Sequence, residues 1–254
     1  MTDYEKSIIL PSHGVFYDGS LPGGELQIKS MTTQEEKLLA SPSSSSGTKL
    51  LDILFKRCSS FPESFPPSKL IVFDRFSLLM NIRILSYGPI YRISFVCEEC
   101  KHRNNEDLNL EEILSEEVIA TEDSESQHDV ELPVSKKNVT WRYPTGEDEL
   151  ALDKQRSKLK GGSPADLIEH RIARQIVSID GAVPQFLDIL NFIRGLSTRD
   201  NVAIRDSIQE HTFGITSEFE FTCSNCAAPT ASMGLPMSND FFRLVSPAVR
   251  GSGL

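Results

Sequence analysis

The chain has 254 residues, of which 39% are hydrophobic and 24% charged, and its formal net charge is −10. These proportions are typical of a soluble globular protein, and the acidic balance argues against nucleic acid as the main partner, because a phosphate backbone attracts basic surfaces. The sequence has neither a run of 18 apolar residues nor a secretory signal at its start, so we expect no membrane span and no export.

Short strands and three helices are predicted in the first 96 residues. Thr32 and Glu35 have capping-box spacing, so a helix is expected to begin there and to stop before Pro42. Apolar residues recur at helical spacing over 74–85, which predicts a long third helix ended by Gly88. The expected elements of this half are short strands and turns at 8–14, a strand at 26–28, helices at 32–41, 49–55 and 74–85, and a strand at 90–96.

An acidic segment follows at 111–129, with eight Asp and Glu residues and no Lys or Arg. A run of acidic residues without basic ones is typical of a solvated linker, which we favour over an acidic docking tail.

The second half begins as a strand pair at 130–132 and 138–142 and then becomes helical. Ser163-Pro164, Pro184 and Thr198 are predicted to open three helices. The first of these is expected to carry an apolar stripe of Leu167, Ile168, Ile172, Ile176 and Val177. A last strand, Phe219-Glu220-Phe221, runs towards the end of the chain.

Two CxxC pairs supply the chemistry of the chain. Cys97 and Cys100 follow one alternating strand, and Cys223 and Cys226 follow another. A strand followed by CxxC and a turn is typical of a zinc knuckle, and two knuckles complete a tetrahedral four-thiolate site. Such a site has no open position for water, so the predicted zinc is structural. Because 122 residues separate Cys100 from Cys223, two reduced thiol pairs or disulfides remain as alternatives.

The fold predicted from these elements is α+β, with two small lobes joined through the CxxC zinc knuckles in a zinc-ribbon-like manner. The first lobe is residues 1–110, the acidic linker is 111–129, and the second lobe is 130–254.

The remaining reactive residues have no recognisable motif. Cys58 follows an apolar helical stretch and is expected to be a buried or half-buried thiol. His102 is interpreted as a surface residue rather than a metal ligand, and the five histidines show no paired spacing. No phosphate loop, HExxH, GxSxG or GxGxxG motif is present, so we predict no catalytic residues and no enzymatic activity.

Several short motifs in a fixed order carry a family resemblance. They are Leu10-Pro11-Ser12-His13-Gly14, Met31 to Leu39, Arg83-Ile84-Leu85-Ser86-Tyr87-Gly88-Pro89 before the first knuckle, Ala173 to Gly181, and the closing knuckle with Asp240-Phe241-Phe242-Arg243. In this order the chain resembles the baseplate protein family of T-even-like contractile-tailed bacteriophages. The resemblance implies a role in building the baseplate, as a hub-associated structural protein of the virion tail or as an assembly factor. Such a protein is made in the host cytoplasm and acts through contacts with other tail proteins in a symmetric hetero-oligomer. From the charge and the lack of long apolar runs, we expect neither nucleic acid nor a membrane as partner.

Other functions remain open at this point. The chain could be a transient chaperone for assembly of the baseplate hub, absent from the mature virion. A zinc-ribbon nucleic-acid-binding protein is less favoured because Lys and Arg do not interleave with aromatic residues near either knuckle, and a tail-tip hydrolase is the least favoured. Phe241-Phe242 is predicted either to dock on a partner or to close the core of the chain itself.

Overall fold

Four small antiparallel sheets and eight α-helices make up the part of the chain that this computed structural model describes, residues 4–40, 47–121, 123–158, 164–215, 218–229, 233–235 and 239–242. The strands are β1 (Lys6–Ile9), β2 (Glu25–Ile28), β3 (Ile90–Val96), β4 (Arg103–Asn109), β5 (Gln127–Glu131), β6 (Asn138–Arg142), β7 (Ile176–Ile179), β8 (Glu218–Phe219) and β9 (Met233–Gly234). The helices are α1 (Thr33–Ala40), α2 (Gly47–Cys58), α3 (Val72–Tyr87), α4 (Leu110–Ser115), α5 (Gly146–Lys158), α6 (Pro164–Gln175), α7 (Phe186–Gly195) and α8 (Thr198–Glu210). The predicted α+β class is confirmed.

Helix α3 is the centre of the larger core. Every residue from Asp74 to Arg83 is buried, because the helix is surrounded by the β1–β2 hairpin, α2 and the chain after α8. It ends at Gly88, which has a φ of 84° and donates its N–H to the carbonyl of Ile84 at 2.8 Å. The long third helix and its glycine stop are therefore confirmed.

The predicted capping box at the start of α1 is present. The backbone N–H and the hydroxyl of Thr32 both donate to Glu35 Oε2, at 2.9 Å and 2.5 Å, and Thr32 Oγ1 accepts the N–H of Gln34 at 3.2 Å. These bonds satisfy backbone donors that an uncapped first turn leaves without partners.

A buried carboxylate holds the turn that follows β1. Asp74 accepts hydrogen bonds from the N–H of Ser12 at 2.9 Å, from the Ser12 hydroxyl at 2.5 Å and from the Tyr17 hydroxyl. Burial is the main cause that raises the pKa of Asp74 to about 6, against the hydrogen bonds that lower it. The turn is thus tied to α3 by a group that is costly to ionise.

A buried guanidinium joins three helices. Arg75 on α3 donates to Asp52 Oδ1 of α2 at 2.6 Å and to the carbonyl of Pro67 at 2.9 Å, and its Nε lies 3.4 Å from Glu149 Oε2 of α5. The side chain is almost fully buried, and its charge is compensated by these two carboxylates.

The smaller core lies between the β5–β6–β7 sheet and α6 to α8. Two details differ from the sequence analysis. Ile176 and Val177 were expected on a helix but lie in β7, where the β-branched run pairs with β6 and only alternate residues are buried. Ser197, rather than Thr198, caps α8, with its hydroxyl accepting the N–H of Asp200 at 3.1 Å. The expected cap Ser163 lies outside the described residues.

The acidic segment 111–129 contains ordered elements. It includes most of α4, a two-way backbone bridge between Val118 and Gly214, and the buried residue Ala120, whose N–H donates to the carbonyl of Pro11 at 2.8 Å. The larger core also includes residues from the end of the chain, among them Phe241 and Phe242. The division into residues 1–110, 111–129 and 130–254 stays a prediction.

No helix in the described part of the chain combines the length and the apolar character required to cross a bilayer.

Candidate metal centre

The first knuckle closes the β3–β4 hairpin. Cys97 follows the last residue of β3, its N–H donates to the carbonyl of His102 at 2.9 Å, and its own carbonyl accepts the N–H of Lys101 at 3.0 Å. Lys101 has a φ of 59°, the left-handed conformation that the turn requires. The turn therefore aims both thiols of the pair to one side of the hairpin.

The second knuckle repeats this pattern. The N–H of Cys223 donates to the carbonyl of Ala228 at 2.9 Å, and the carbonyl of Cys223 accepts the N–H of Ala227 at 2.9 Å. Ala227 has a φ of 57° and corresponds to Lys101 in the first knuckle. A glycine would fit either position without strain, but neither knuckle has one.

The two knuckles face each other, and their four sulfur atoms all lie within 4.8 Å of one another. Cys97 Sγ is 3.7 Å from Cys226 Sγ, and Cys100 Sγ is 3.6 Å from Cys223 Sγ. A disulfide requires about 2.05 Å, whereas four sulfurs bound at about 2.3 Å around a tetrahedral zinc stand about 3.8 Å apart. These two separations are therefore close to the tetrahedral value and far from that of a disulfide. We call these four thiols the thiol cluster.

Backbone donors around the thiol cluster favour thiolates. The N–H groups of Cys226 and Asn225 point at the sulfur of Cys223 and lower the pKa of Cys223 to about 6, against burial, which raises it. The pKa of Cys100 is also lowered, first by its hydrogen bond with Asn225. The N–H of Ala228 lowers the pKa of Cys226, but its contacts with the other thiols and burial raise that pKa to about 12 overall.

Asn104, a residue not predicted from the sequence, joins the two knuckles. This buried residue of β4 accepts the backbone N–H and the hydroxyl of Ser224 at 2.9 Å and 2.8 Å. Its amide nitrogen donates to Cys223 Sγ at 3.6 Å and to the carbonyl of His102 at 3.2 Å. The only sequence signal was a polar residue placed four positions after the second cysteine of a knuckle.

The other two residues considered from the sequence lie apart from the ligand atoms. His102 is exposed, and its backbone takes part in the first knuckle: its carbonyl accepts the N–H of Cys97, and its own N–H is one of the donors that lower the pKa of Cys100. Cys58 is fully buried at the end of α2, and burial is the main cause that raises its pKa to about 12. The prediction of a buried thiol at Cys58 is confirmed.

Aromatic pairs on either side of the thiol cluster tie the end of the chain to the hairpin. The rings of Phe95 and Phe221 lie 5.6 Å apart, and those of Tyr91 and Phe241 lie 5.0 Å apart. Phe241 and Phe242 are buried in the larger core. Of the two roles predicted for this pair, the structure shows the closure of the chain's own core.

Four thiolates in this arrangement can hold one soft or borderline divalent metal and leave no position for water or substrate. The chemistry available to the thiol cluster is therefore cross-linking of β3 and β4 to the segment after α8, without an activated nucleophile.

Comparison with known proteins gives one match. The model of a family described as T4 bacteriophage base plate protein matches residues 7–243. No curated protein matches the chain, and no solved structure does.

Proposed function

The chain belongs to the T4 bacteriophage base plate protein family, whose model matches residues 7–243, and from this premise we propose that it is a hub-associated structural component of the tail baseplate that acts through protein–protein interfaces. Membership of the family implies a place in the phage tail and contacts with other tail proteins. The hub position rests on the sequence motifs that resemble this family. A structural rather than catalytic role agrees with a candidate metal site that is closed to substrate.

A structural zinc ion is the second part of this proposal. The four sulfurs have the donor chemistry and the spacing of a tetrahedral thiolate site, and backbone N–H groups already favour ionisation of Cys223. The observation that carries the assignment is the convergence of two knuckles separated by 122 residues of sequence. A metal ion bound by both knuckles would stabilise this convergence, because its binding free energy adds to the free energy of folding.

The metal is expected to stabilise the fold rather than to react. It would tie the β3–β4 hairpin to the segment that carries Phe221 and Phe241, and its binding free energy would then be part of the free energy of folding. An assembly built from many subunits benefits from rigid surfaces, because each ordered interface loses less conformational entropy on association.

Metal analysis tests the zinc assignment. Protein purified without added metal should contain one zinc per chain by inductively coupled plasma mass spectrometry, and the double variant Cys97→Ser/Cys223→Ser should contain none. A matched control is Cys58→Ser, which removes a buried thiol outside the thiol cluster and should retain the zinc. A wild-type chain that folds without bound metal would contradict the assignment.

Particle composition tests the baseplate role. Quantitative mass spectrometry of purified, washed virions should find this chain at a fixed ratio to the tube and sheath proteins. Its presence in infected-cell lysate together with its absence from virions would instead identify a transient assembly chaperone.

A further inference from the structure

A cavity of about 370 Å³ lies between the acidic segment and the C-terminal end of α8. Its walls come from 118–120 and 123–125 on one side and from 210–213 on the other, and His128 and Tyr143 also line it. The backbone bridge between Val118 and Gly214 fixes the two walls relative to each other. The cavity is separate from the thiol cluster, since none of the four cysteines lines it.

Two histidines 83 positions apart in the sequence meet in this cavity, with ring centroids 4.1 Å apart. His211 Nδ1 lies 2.7 Å from the carbonyl of Ser207, which can only accept, so this nitrogen carries the proton and Nε2 keeps a lone pair. The Tyr143 hydroxyl donates its only proton to the carbonyl of His211 at 3.0 Å, so in its 2.9 Å contact with His128 Nε2 the hydroxyl accepts. Nε2 of His128 therefore carries the proton, and the lone pair lies on Nδ1. Each ring therefore has one free acceptor nitrogen.

His128 is 93% buried, and its Nδ1 has no hydrogen-bond partner among the described residues. This nitrogen can therefore accept a hydrogen bond from a ligand that enters the cavity. The cavity that His128 lines gives such a ligand access to the ring.

The charged groups around the cavity are all acidic. Asp123, Glu125 and Glu210 line it, and the described walls include no lysine or arginine. The C-terminal end of α8 adds the partial negative charge of a helix terminus. The aromatic residues Tyr143 and Phe213 complete the lining. Carboxylates, imidazole lone pairs and aromatic side chains together favour a planar cation that has several N–H donors.

We propose that this cavity binds the guanidinium group of an arginine side chain presented by a partner protein. The five N–H donors of a guanidinium match the acceptors of His128, His211 and the rim carboxylates, and its flat face matches the aromatic rings. The exposed side chains of Val118 and Ile119 provide apolar contact for the backbone that carries the arginine. That the partner is a neighbouring tail protein rests on the function proposed above, whereas binding of guanidinium does not.

The test uses the full-length, zinc-loaded chain and N-acetyl-arginine N-methylamide as the probe. Trp141 is the only tryptophan of the chain, and its ring lies 4.6 Å from that of His128, so its single indole N–H signal in NMR spectra reports on the cavity. The arginine probe should shift this signal and the imidazole signals of His128 saturably. The lysine analogue should bind more weakly, and the norleucine analogue should cause no shift.

Substitutions at the rim separate specific from general attraction. Glu125→Gln and Glu210→Gln should each weaken binding of the arginine probe about two- to fivefold, the effect of one exposed charge pair. Glu63→Gln is the matched control, because Glu63 is an exposed carboxylate that does not line the cavity. Equal shifts with arginine and norleucine probes, or unchanged binding in both rim variants, would overturn the proposal and leave the baseplate role untouched.

Acidification provides an independent readout. Burial lowers the pKa of His128 from its usual 6.5. Protonation of His128 replaces its lone pair with an N–H and adds positive charge, so binding of the arginine probe should be constant near neutral pH and should weaken only as the pH falls below about 6.5. The charged and titratable groups that act on His128 are His211, directly after α8, and the carboxylates of Glu125 and Asp129. Asp123 and Glu210 line the same cavity. Binding that is stronger at the lower pH would contradict the assignment of the acceptor nitrogens.

Discussion

Replacement of Asn104 by alanine should weaken both the fold and the metal site. Asn104→Ala removes the acceptor of the Ser224 N–H and hydroxyl and the donor to Cys223 Sγ. At about 1 kcal/mol net for each of these bonds, the free energy of unfolding should fall by about 2–3 kcal/mol. For a chain of this size the melting temperature should drop by roughly 5–10 °C.

The same substitution should lower zinc affinity. Partners that orient metal ligands typically contribute about 10- to 100-fold in affinity, and Asn104 is hydrogen-bonded to one ligand and to the residue that follows it. Competition with a chromophoric chelator of known affinity measures the change. Thermal unfolding followed by circular dichroism measures the loss of stability in the same preparations.

Asn105→Ala is the matched control for this experiment. Asn105 is the next residue of β4, points to the opposite face and is exposed, and it accepts one bond from the Ser94 hydroxyl at 2.6 Å. Its replacement should change stability by less than about 0.5 kcal/mol and leave zinc affinity unchanged. Equal effects of the two substitutions would refute the conclusion that Asn104 joins the knuckles.

Three further predictions follow from the geometry. Lys101→Gly and Ala227→Gly should each raise the free energy of unfolding by about 0.5–1 kcal/mol in urea titrations, because both residues have a positive φ that glycine adopts without strain; a loss of stability would contradict this reading of the turns. With zinc bound, iodoacetamide should label no cysteine, and after chelation it should label the thiol cluster but not Cys58, whose burial raises its pKa to about 12. Alkylation of Cys58 in the folded protein, detected by mass spectrometry, would contradict this expectation. Burial raises the pKa of Asp74 to about 6 and that of Glu117 to about 7, both above their values in the unfolded chain. The free energy of unfolding should therefore rise as the pH falls from about 8 to about 5 and these groups become protonated. The double variant Asp74→Asn/Glu117→Gln should show a smaller rise than wild type, and identical pH profiles of stability would disprove the assignment.

Local patterns predicted the elements that carry their own signals. The capping box at Thr32, the long helix ended by Gly88 and the strand before the first knuckle all depend on neighbouring residues, and each is present. The strand predicted at 219–221 before the second knuckle is wrong in extent, since β8 covers only Glu218–Phe219. The two knuckles were recognisable because a CxxC after a strand is a local motif. Their convergence was a hypothesis, because it depends on packing between segments more than 100 positions apart.

The elements that were not predicted lack such local signals. Strand β4 has the sequence Arg-Asn-Asn-Glu-Asp-Leu-Asn, without β-branched or aromatic residues, and it forms because all seven residues pair with β3. Helix α5 is polar on most of its surface and is positioned by contacts such as that of Glu149 with Arg75. The pairing of His128 with His211 likewise arises only when α8 packs against β5.

The separation between the two knuckles has a consequence during synthesis. After Cys100 leaves the ribosome, 122 further residues emerge before Cys223 does, which at ordinary translation rates takes roughly 6–25 s. During that time the nascent chain has only two of the four cysteines of the thiol cluster, and the larger core still lacks Phe241 and Phe242. Products of interrupted translation therefore cannot complete either the thiol cluster or the core. The late arrival of the second knuckle thus restricts the finished fold to chains that have been translated past residue 242.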